Sequence, residues 1–458
     1  MASGEQTWER LDAETVAAGQ LKKLKSLLER TAATNAFYRD RWRAAGVDVA
    51  TIASLEDFAA RIPMVEKKDF IEDQAAHPPY GRRLAHLLER HEQLFVFSTS
   101  GTSGQGQELH AQTMEEARVC AEVYGHMYRW SGLKRGDQVF LTMAVTMLAG
   151  GRLEYHGAVD YGLTVLPIGN YDAQRKLELL RKFPSVGIVG TTSYFGHLSA
   201  VTKELPPAPG LRALYCGGEG AAISWYERLE SEWQARVYDR YGSTQSRNDH
   251  MFSCSHGVGS AARPGMLHNV DEHVLVEVVD PATGRHVPDG ERGEVVLTSL
   301  YHTDTPVIRC RMRDLAVYRP GRYCPCGLAY RGIEIGSIGR LDNMYRIKGV
   351  NVWPQAVEQA MFEFPEVDEY QVDLTSAADG SDVATIRFMP KAPLGEAERG
   401  AATARIADEL RRRIGLRFVI EPVAQGTLAR SEYKAKRWRD ERAYISQAAR
   451  DARKTTAL

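Results

Sequence analysis

The segment Phe95-Val-Phe-Ser-Thr-Ser-Gly-Thr-Ser-Gly104 joins a short apolar run to a loop of small hydroxyl and glycine residues. The apolar run is typical of the end of a buried strand. The loop can fold backbone N–H groups and hydroxyls around a phosphate, because glycine lets the backbone approach closely. It is not a Walker-type loop, since no Gly-Lys-Ser/Thr follows. Taken alone, a flexible Ser/Gly connection explains the same composition.

The composition predicts a multidomain globular protein. A chain of 458 residues is too long for one ordinary hydrophobic core. Its 43% hydrophobic and 26% charged residues are typical of soluble proteins, and a net charge of −1 gives no electrostatic reason to expect a nucleic-acid partner. No apolar run is long enough to span a membrane and the start has no signal-like pattern. We therefore expect a cytoplasmic protein with no membrane partner.

The order of predicted elements favours an α/β fold. The first ~90 residues are predicted to be mainly helical, because apolar residues recur there at helical spacing. Strand-like runs then alternate with amphipathic segments, which predicts a doubly wound α/β region. These runs begin at Val139, Leu163, Val186 and Leu211. From Val274 to Tyr318 strands and turns follow one another closely, which predicts an antiparallel β unit.

A domain boundary is predicted at Gly339-Arg-Leu-Asp342. We expect residues 1–341 to form a large multilayer α/β domain that includes the antiparallel unit. Residues 342–458 contain two further helical patterns with strand patterns between them. They are predicted to form a small α+β C-terminal domain.

Six motifs, in order along the chain, resemble those of the adenylate-forming ANL superfamily, and most closely its phenylacetate–CoA ligase branch. They lie at 98–106, 148–157, 215–220, 239–245, 307–314 and 339–354. Together with a lysine loop at 428–437 they cover nearly the whole chain. The resemblance implies binding of ATP by Ser98, Thr99, Ser100, Gly101, Thr102, Gly218, Glu219, Tyr241, Gly242, Ser243, Thr244, Asp314 and Arg340.

The same resemblance assigns roles at the domain boundary and in the C-terminal domain. It implies that Arg340 contacts the nucleotide and that Asp342 is the hinge about which a mobile C-terminal domain rotates. Lys434 would be the catalytic lysine, which neutralises charge on the carboxylate and the α-phosphate. Lys348 and Gly349 would line the CoA tunnel. The implied pocket for the carboxylic acid contains Met143, Met147, Leu148, Tyr155 and Gly217.

Two positions depart from the family pattern. Gln245 replaces the acid that helps to hold Mg²⁺, and glutamine offers only an uncharged oxygen. Either Mg²⁺ binds weakly at Gln245 or another carboxylate compensates, for which Asp249 is a nearby candidate. Tyr433 stands where a glycine usually precedes the lysine, and Lys436 is a competing assignment for that lysine.

Four of the six cysteines fall in one region of the sequence. Cys254, His256, Cys324 and Cys326 supply three thiols and an imidazole, a ligand set that a structural zinc ion accepts. Cys310 and His268 are possible substitutes within this set. A group of reduced structural thiols is the alternative interpretation.

The function implied by the resemblance is that of an ATP-dependent acid–thiol ligase. An aromatic or arylalkanoic acid would be activated as an acyl-adenylate and transferred to CoA, with Mg²⁺ as cofactor. A carrier-protein thiol or an amine in place of CoA remains an alternative, and a homodimer remains open. The departures at Gln245 and Tyr433 leave a further alternative, a homologue that binds nucleotide or acid without ligating them.

Overall fold

The computed structural model describes residues 8–99, 107–201, 210–341, 345–348, 350–377, 381–429 and 437–442. As predicted, the chain up to Glu89 is mainly helical. Its α-helices are α1 (Ala13–Thr34), α2 (Ala36–Ala44), α3 (Leu55–Arg61), α4 (Lys67–Ala76) and α5 (Arg82–Glu89). Leu24, Leu27 and Leu28 of α1 are buried, which confirms the apolar face of that helix. Short 3₁₀ turns at Trp8–Arg10 and Val49–Thr51 complete this region.

A two-stranded hairpin precedes the main sheet. Strands β1 (Leu94–Ser98) and β2 (Leu109–Thr113) are antiparallel, with Ser98 opposite Leu109. The hydroxyl and glycine loop of the opening segment therefore connects two paired strands, and its ends are held together at the base of the hairpin. Helix α6 (Met114–Trp130) begins directly after β2 with a capping box in which Thr113 and Glu116 bond each other's backbone N–H.

The parallel part of the main sheet alternates with helices, as predicted. Its strands are β3 (Gln138–Leu141), β4 (Thr164–Pro167), β5 (Gly187–Val189), β6 (Ala213–Cys216) and β7 (Arg236–Ser243), in the order β7-β6-β5-β3-β4. The helices are α7 (Ala149–Tyr161), α8 (Ala173–Lys182), α9 (Thr192–Val201) and α10 (Ile223–Trp233). From β3 the chain passes first to one side, to β4, and then to the other, to β5. This reversal opens a crevice at the carboxyl ends of β3 and β5.

The antiparallel unit predicted from Val274 to Tyr318 forms as part of a longer antiparallel region, which continues the same sheet. Its strands are β8 (Asn248–Ser253), β9 (Met266–Asn269), β10 (Val274–Val279), β11 (Arg292–Ser299), β12 (Cys310–Arg319), β13 (Gly332–Glu334) and β14 (Gly339–Arg340). The path runs β10-β11-β12-β13-β9-β8-β7, and β14 pairs with β12. Within the described residues the main sheet has 12 strands. The α/β fold class is confirmed.

The C-terminal part forms the expected α+β unit. It contains a short hairpin of β15 (Tyr345–Ile347) and β16 (Val350–Val352), and then a sheet in the order β19-β18-β17-β20. The sheet strands are β17 (Val367–Ser376), β18 (Asp382–Pro390), β19 (Val419–Pro422) and β20 (Trp438–Asp440), with helices α11 (Pro354–Phe362) and α12 (Glu396–Ile414). The division at 341/342 itself stays a prediction.

Contacts between helix α10 and this C-terminal unit are both aromatic and ionic. The ring centroids of Trp225 and Phe362 are 4.6 Å apart. Nη2 of Arg228 donates to Oδ1 of Asp368 over 2.7 Å. The Arg437 guanidinium lies 5.6 Å from the Trp225 ring centroid and pairs with buried Glu369 over 2.6 Å. Among the described residues, no helix is both long enough and apolar enough to cross a membrane.

Candidate active site

Three of the predicted nucleotide-binding residues meet where the antiparallel unit joins the parallel strands. Tyr241 lies on β7, and the pairing of β12 with β14 places Asp314 opposite Arg340. The Tyr241 hydroxyl donates to Oδ2 of Asp314 over 2.8 Å, and Nη1 of Arg340 donates to Oδ1 over 3.2 Å. Burial, reinforced by the Asp314 charge, raises the pKa of Tyr241, so this hydroxyl stays protonated. The Asp314 carboxylate is thus oriented by two donors and keeps lone pairs for a diol.

The glycine loop after β6 reaches the same end of the sheet. Gly218 has a φ of +77°, a conformation that favours glycine. Oε1 of Glu219 accepts a hydrogen bond from the backbone N–H of Ser193 in the first turn of α9, over 2.6 Å. This bond fixes the loop against α9, and a carboxylate at a helix N-terminus is stabilised by the helix dipole.

The turn from β7 to β8 is built around a glycine. A Cβ at Gly242 would lie 2.2 Å from the carbonyl oxygen of Asn248, so no larger residue fits there. The Ser243 hydroxyl accepts from the backbone N–H of Ser246 over 3.1 Å, and the Thr244 carbonyl accepts from Arg247 N–H over 3.1 Å. This stretch of the predicted nucleotide-binding motif is therefore a tight, internally bonded turn.

Gln245, which ends that motif, contacts a carboxylate that the sequence analysis missed. Its Nε2 donates to Oε2 of Glu108 over 2.7 Å. Glu108 is buried, and burial raises the pKa of its carboxyl to about 7, against the opposing charge of Lys67, whose Nζ lies 4.0 Å away. The only sequence signal for Glu108 is its place two residues after the glycine loop.

Several predicted site residues lie outside the described part of the chain. These are Ser100, Gly101, Thr102, Asp342, Gly349 and Lys434, together with Lys436 and Tyr433. Of the loop, Ser98 and Thr99 are described. Ser98 N–H donates to the Met147 carbonyl over 2.9 Å, and Thr99 N–H donates to the Glu108 carbonyl over 3.0 Å. Lys348 is exposed, and its backbone N–H donates to Asp382 over 3.0 Å.

A cavity of about 340 Å³ lies at the crevice between β3 and β5. It is lined by Thr142, Met143, Ala144, Thr146, Leu148, Gly169, Tyr171, Asp172, Ala173, Lys176, Thr191, Tyr194 and His197. The predicted acid-pocket residues Met143 and Leu148 are among them. Met147 and Tyr155 are not, and their exposed fractions are 53% and 39%. Only part of the predicted set therefore lines this cavity. The other walls include residues of α8 and α9, which lie outside the six motifs.

Gly217 was predicted to line the acid pocket, yet the side chain of Arg240 covers it. A Cβ at Gly217 would lie 2.5 Å from Cγ of Arg240. The guanidinium is itself buried and bonds the carboxylates of Glu154 and Asp249. Asp249 also accepts from the Tyr124 hydroxyl over 3.3 Å. Asp249 is therefore engaged by Arg240 and Tyr124, and its role as a compensating carboxylate for Mg²⁺ stays a prediction.

The cysteine region forms a compact cluster with one correction to the prediction. Ligand atoms of Cys254, His268, Cys324 and Cys326 all lie within 4.8 Å of one another. Sγ of Cys254 and Sγ of Cys324 are 3.6 Å apart, and Sγ of Cys326 is 3.4 Å from Nε2 of His268. His268, and not the predicted His256, supplies the imidazole, because strand pairing sets it beside the residues that precede Cys254. His256 contributes a backbone N–H, 3.5 Å from Cys254 Sγ.

Comparison with known proteins identifies the family. The model of the AMP-binding enzyme family matches residues 20–301, and that of the AMP-binding enzyme C-terminal domain matches residues 349–442. The chain belongs to the AMP-binding enzyme family. The predicted resemblance to adenylate-forming enzymes is thereby confirmed.

Similar proteins of this family are CoA ligases. The chain is 28% identical to a phenylacetate-coenzyme A ligase of Pseudomonas putida over 91% of its own length and 92% of the relative's. It is 30% identical to a phenylacetate-coenzyme A ligase of Thermus thermophilus, over 80% and 79% of the two chains. These relatives and the shared motifs place the enzyme among the AMP-forming acid–CoA ligases.

A solved CoA ligase is similar in structure over nearly the whole chain. The crystal structure of a 2-hydroxyisobutyryl-CoA ligase in its postadenylation state is 25% identical and has a TM-score of 0.86, covering 96% of this chain and 94% of that one. The same ligase in its thioesterification state has a TM-score of 0.69, with 97% and 94% covered. Over its whole length the chain is therefore more similar to the postadenylation structure than to the thioesterification structure.

Proposed function

We propose that this acid–CoA ligase activates an aromatic or arylalkanoic carboxylic acid as an acyl-adenylate and transfers the acyl group to CoA. The observation that carries the proposal is the cavity of about 340 Å³ at the crevice between β3 and β5. Met143, Ala144 and Leu148 give it an apolar wall, and its volume suits a small ring-containing acid. The curated relatives named for phenylacetate support the aromatic class.

The first step joins the acid to AMP. A carboxylate oxygen attacks the α-phosphorus of ATP, a new O–P bond forms, and the bond to pyrophosphate breaks. Asp314 would accept the ribose hydroxyls, while Arg340 beside it supplies positive charge near the nucleotide. Bound Mg²⁺ would neutralise phosphate charge in this step. Lys434, which lies outside the described residues, remains the proposed lysine for the charge at the reacting centre.

The second step moves the acyl group to sulfur. The CoA thiolate attacks the acyl carbonyl carbon, the C–S bond forms, and AMP leaves as the C–O bond breaks. Rotation about Asp342 would bring Lys348 and Gly349 to the tunnel for CoA, as the family motif implies. The adenylate is a good leaving group, and this is why the carboxylate is activated before the thiol attacks.

Pyrophosphate release with ATP and Mg²⁺ tests the acid. Phenylacetate, benzoate and 2-hydroxyisobutyrate form a panel that contrasts ring-containing acids with a small aliphatic acid. We expect an aromatic acid to have a kcat/KM at least tenfold above that of 2-hydroxyisobutyrate. A preference for the aliphatic acid would overturn the aromatic assignment, and no release with any acid would favour the ligation-deficient alternative.

Mass spectrometry of the acylated product tests the acceptor. CoA, a pantetheinylated carrier protein and an amine are offered separately to the enzyme with the preferred acid and ATP. We expect the CoA thioester to form fastest. Faster transfer to the carrier or to the amine would show that CoA is the wrong acceptor while leaving the adenylation step intact.

We also propose that Cys254, His268, Cys324 and Cys326 hold a structural zinc ion. Tetrahedral zinc with sulfur and nitrogen ligands sets the ligand atoms roughly 3.4–3.8 Å apart. The separations of 3.6 Å and 3.4 Å agree with this. Four protein ligands leave no open position, so the ion would stabilise the turn after β12 and take no part in the reaction.

Elemental analysis of the purified enzyme tests the zinc proposal. We expect about one zinc per chain in the wild type and in His256→Ala, and a loss of most of it in His268→Ala. The two histidines make a matched pair, because they lie in the same region and only one belongs to the cluster. Equal zinc content in both variants, or a wild type without zinc, would contradict the assignment.

A further inference from the structure

The position that normally carries the acid for Mg²⁺ is occupied by Gln245, yet a carboxylate lies directly beside it. Nε2 of Gln245 donates to Oε2 of Glu108 over 2.7 Å. Because the amide nitrogen points to Glu108, the amide oxygen of Gln245 faces away from it. A hydrogen bond from the Gln245 amide nitrogen therefore places the Glu108 carboxylate directly beside position 245.

The backbone holds Glu108 at the base of the hydroxyl and glycine loop. Thr99 N–H donates to the Glu108 carbonyl over 3.0 Å, and Glu108 N–H donates to Oγ1 of Thr99 over 3.0 Å. This reciprocal pair continues the β1–β2 hairpin by one step beyond Ser98 and Leu109. The carboxylate is consequently fixed relative to both the loop and the β7–β8 turn.

One oxygen of this carboxylate has no hydrogen-bond partner among the described residues. Oε1 of Glu108 is buried, and Nε2 of His110, the nearest basic atom, lies 3.6 Å away and is also unpartnered there. Glu108 has no exposed side-chain surface. A buried carboxylate oxygen that no group satisfies is costly for a protein to keep, unless a ligand uses it.

We propose that Glu108 supplies the negative charge that holds Mg²⁺ at the nucleotide phosphates, in place of the acid missing at position 245. Mg²⁺ takes hard oxygen ligands, and one or two carboxylates together with substrate phosphates are its usual set in phosphate-transfer sites. Gln245 then acts as a positioning residue that orients the Glu108 carboxylate. This inference rests on the proposed adenylation of an acid by ATP.

The experiment measures metal affinity without turnover. Calorimetry on the full-length protein follows the binding of a non-hydrolysable ATP analogue, with no acid present, at a series of Mg²⁺ concentrations. Glu108→Gln is expected to raise at least tenfold the Mg²⁺ concentration at which analogue binding is half-maximally enhanced. The affinity for the analogue without metal should change less than twofold. An unchanged Mg²⁺ dependence in Glu108→Gln would overturn the proposal.

Exchange of the two side chains gives the sharper test. The double variant Glu108→Gln, Gln245→Glu returns the carboxylate to position 245 and keeps the amide–carboxylate pair. We expect its Mg²⁺ dependence to return to within threefold of the wild type. A double variant no better than Glu108→Gln would mean that Glu108 has only a structural role, and would overturn the proposal.

Two further variants separate binding effects from folding effects. Glu294→Gln neutralises another fully buried carboxylate whose Oε1 has no hydrogen-bond partner among the described residues, and it should leave the Mg²⁺ dependence unchanged. A loss of Mg²⁺ affinity in Glu294→Gln as large as that in Glu108→Gln would overturn the proposal. If Glu108→Gln does not fold, Glu108→Asp decides, because it keeps the charge but draws the carboxylate back by one methylene. It should raise the half-maximal Mg²⁺ concentration at least threefold, and an unchanged value would overturn the proposal.

The wild-type measurement separates this inference from the function on which it rests. A wild-type enzyme that binds no ATP analogue at any Mg²⁺ concentration would contradict the proposed adenylation and the inference together. Wild-type binding that depends on Mg²⁺ but does not change in Glu108→Gln would overturn the inference alone.

Discussion

The nucleotide side and the acid side of the candidate site differ in how well short motifs describe them. On the nucleotide side, Tyr241, Asp314 and Arg340 come from three strands and still meet within hydrogen-bonding distance. On the acid side, the predicted residues separate: Met143 and Leu148 line the cavity, while Tyr155 is exposed. The residues on the nucleotide side lie within strands, whose positions the sheet register fixes. The cavity is lined by loops and by residues of α8 and α9, whose positions depend on packing.

The largest effect is expected on the nucleotide side. Asp314→Asn removes the charge that accepts from Tyr241 and Arg340 and that would accept the ribose hydroxyls. Hydrogen bonds to a charged group are worth roughly 1.5–3 kcal/mol each, so the loss of two predicts roughly a thousandfold lower kcat/KM for ATP. Pyrophosphate release at varied ATP concentrations measures this.

Glu334→Gln is the control for that measurement. Glu334 is paired with Arg319 on the same sheet but takes no part in the site, and we expect its kcat/KM to stay within threefold of the wild type. An Asp314→Asn enzyme that also stays within threefold would remove Asp314 from the nucleotide site.

A smaller effect, on the free energy of unfolding, is expected from the buried carboxyl of Asp239 on β7. Burial raises the pKa of Asp239 on β7 to about 7, so the folded protein keeps a proton that the unfolded chain loses near its ordinary pKa of 3.8. Unfolding then releases a proton between these values, and the free energy of unfolding falls as pH rises, by up to about 1.4 kcal/mol per pH unit.

Asp239→Asn should remove that contribution. Denaturant unfolding of the wild type and the variant at pH 5, 6 and 7 measures the difference between their free energies. We expect the free energy of unfolding of Asp239→Asn to increase relative to that of the wild type as pH rises. Parallel pH profiles for the two proteins would show that Asp239 ionises in the folded state as it does in the unfolded chain.

The smallest effect is expected on the acid side. Ala173→Phe adds a ring into the cavity wall on α8 and should lower the kcat/KM for the acid about tenfold while leaving that for ATP within twofold. Tyr155→Ala, at an exposed position predicted from the motif but absent from the cavity wall, should leave both values within twofold. If Tyr155→Ala lowered the kcat/KM for the acid and Ala173→Phe did not, the acid would bind beside Tyr155, as the motif predicts.

Sequence patterns predicted the fold closely because hydrophobic periodicity is local. The strands predicted near Val139, Leu163, Val186 and Leu211 all form, since each apolar run is short and bounded by polar segments. The thiol cluster was predicted by ligand type, with His256 as the imidazole and His268 as a possible substitute. The β8–β9 pairing brings His268, and not His256, to the thiols across the sheet.

Charged residues in the core were not predicted, because sequence patterns do not show which charges find a partner. Arg240 and Glu154 lie in two of the six motifs, yet they form a hydrogen bond with each other in the core, and the Arg240 side chain covers Gly217. Glu108 was missed for the same reason. Its contact with Gln245 spans 137 residues of chain, and only the folded sheet brings the two side chains together.

The amino-acid sequence alone was sufficient for the family and for the order of the elements, because these depend on short motifs and on local periodicity. Tertiary structure decided the position of the cavity between β3 and β5, the histidine that joins the thiol cluster and the pairing of Glu108 with Gln245. Each of these depends on side chains that are distant in the chain. Their separation in space is set by strand register and helix packing.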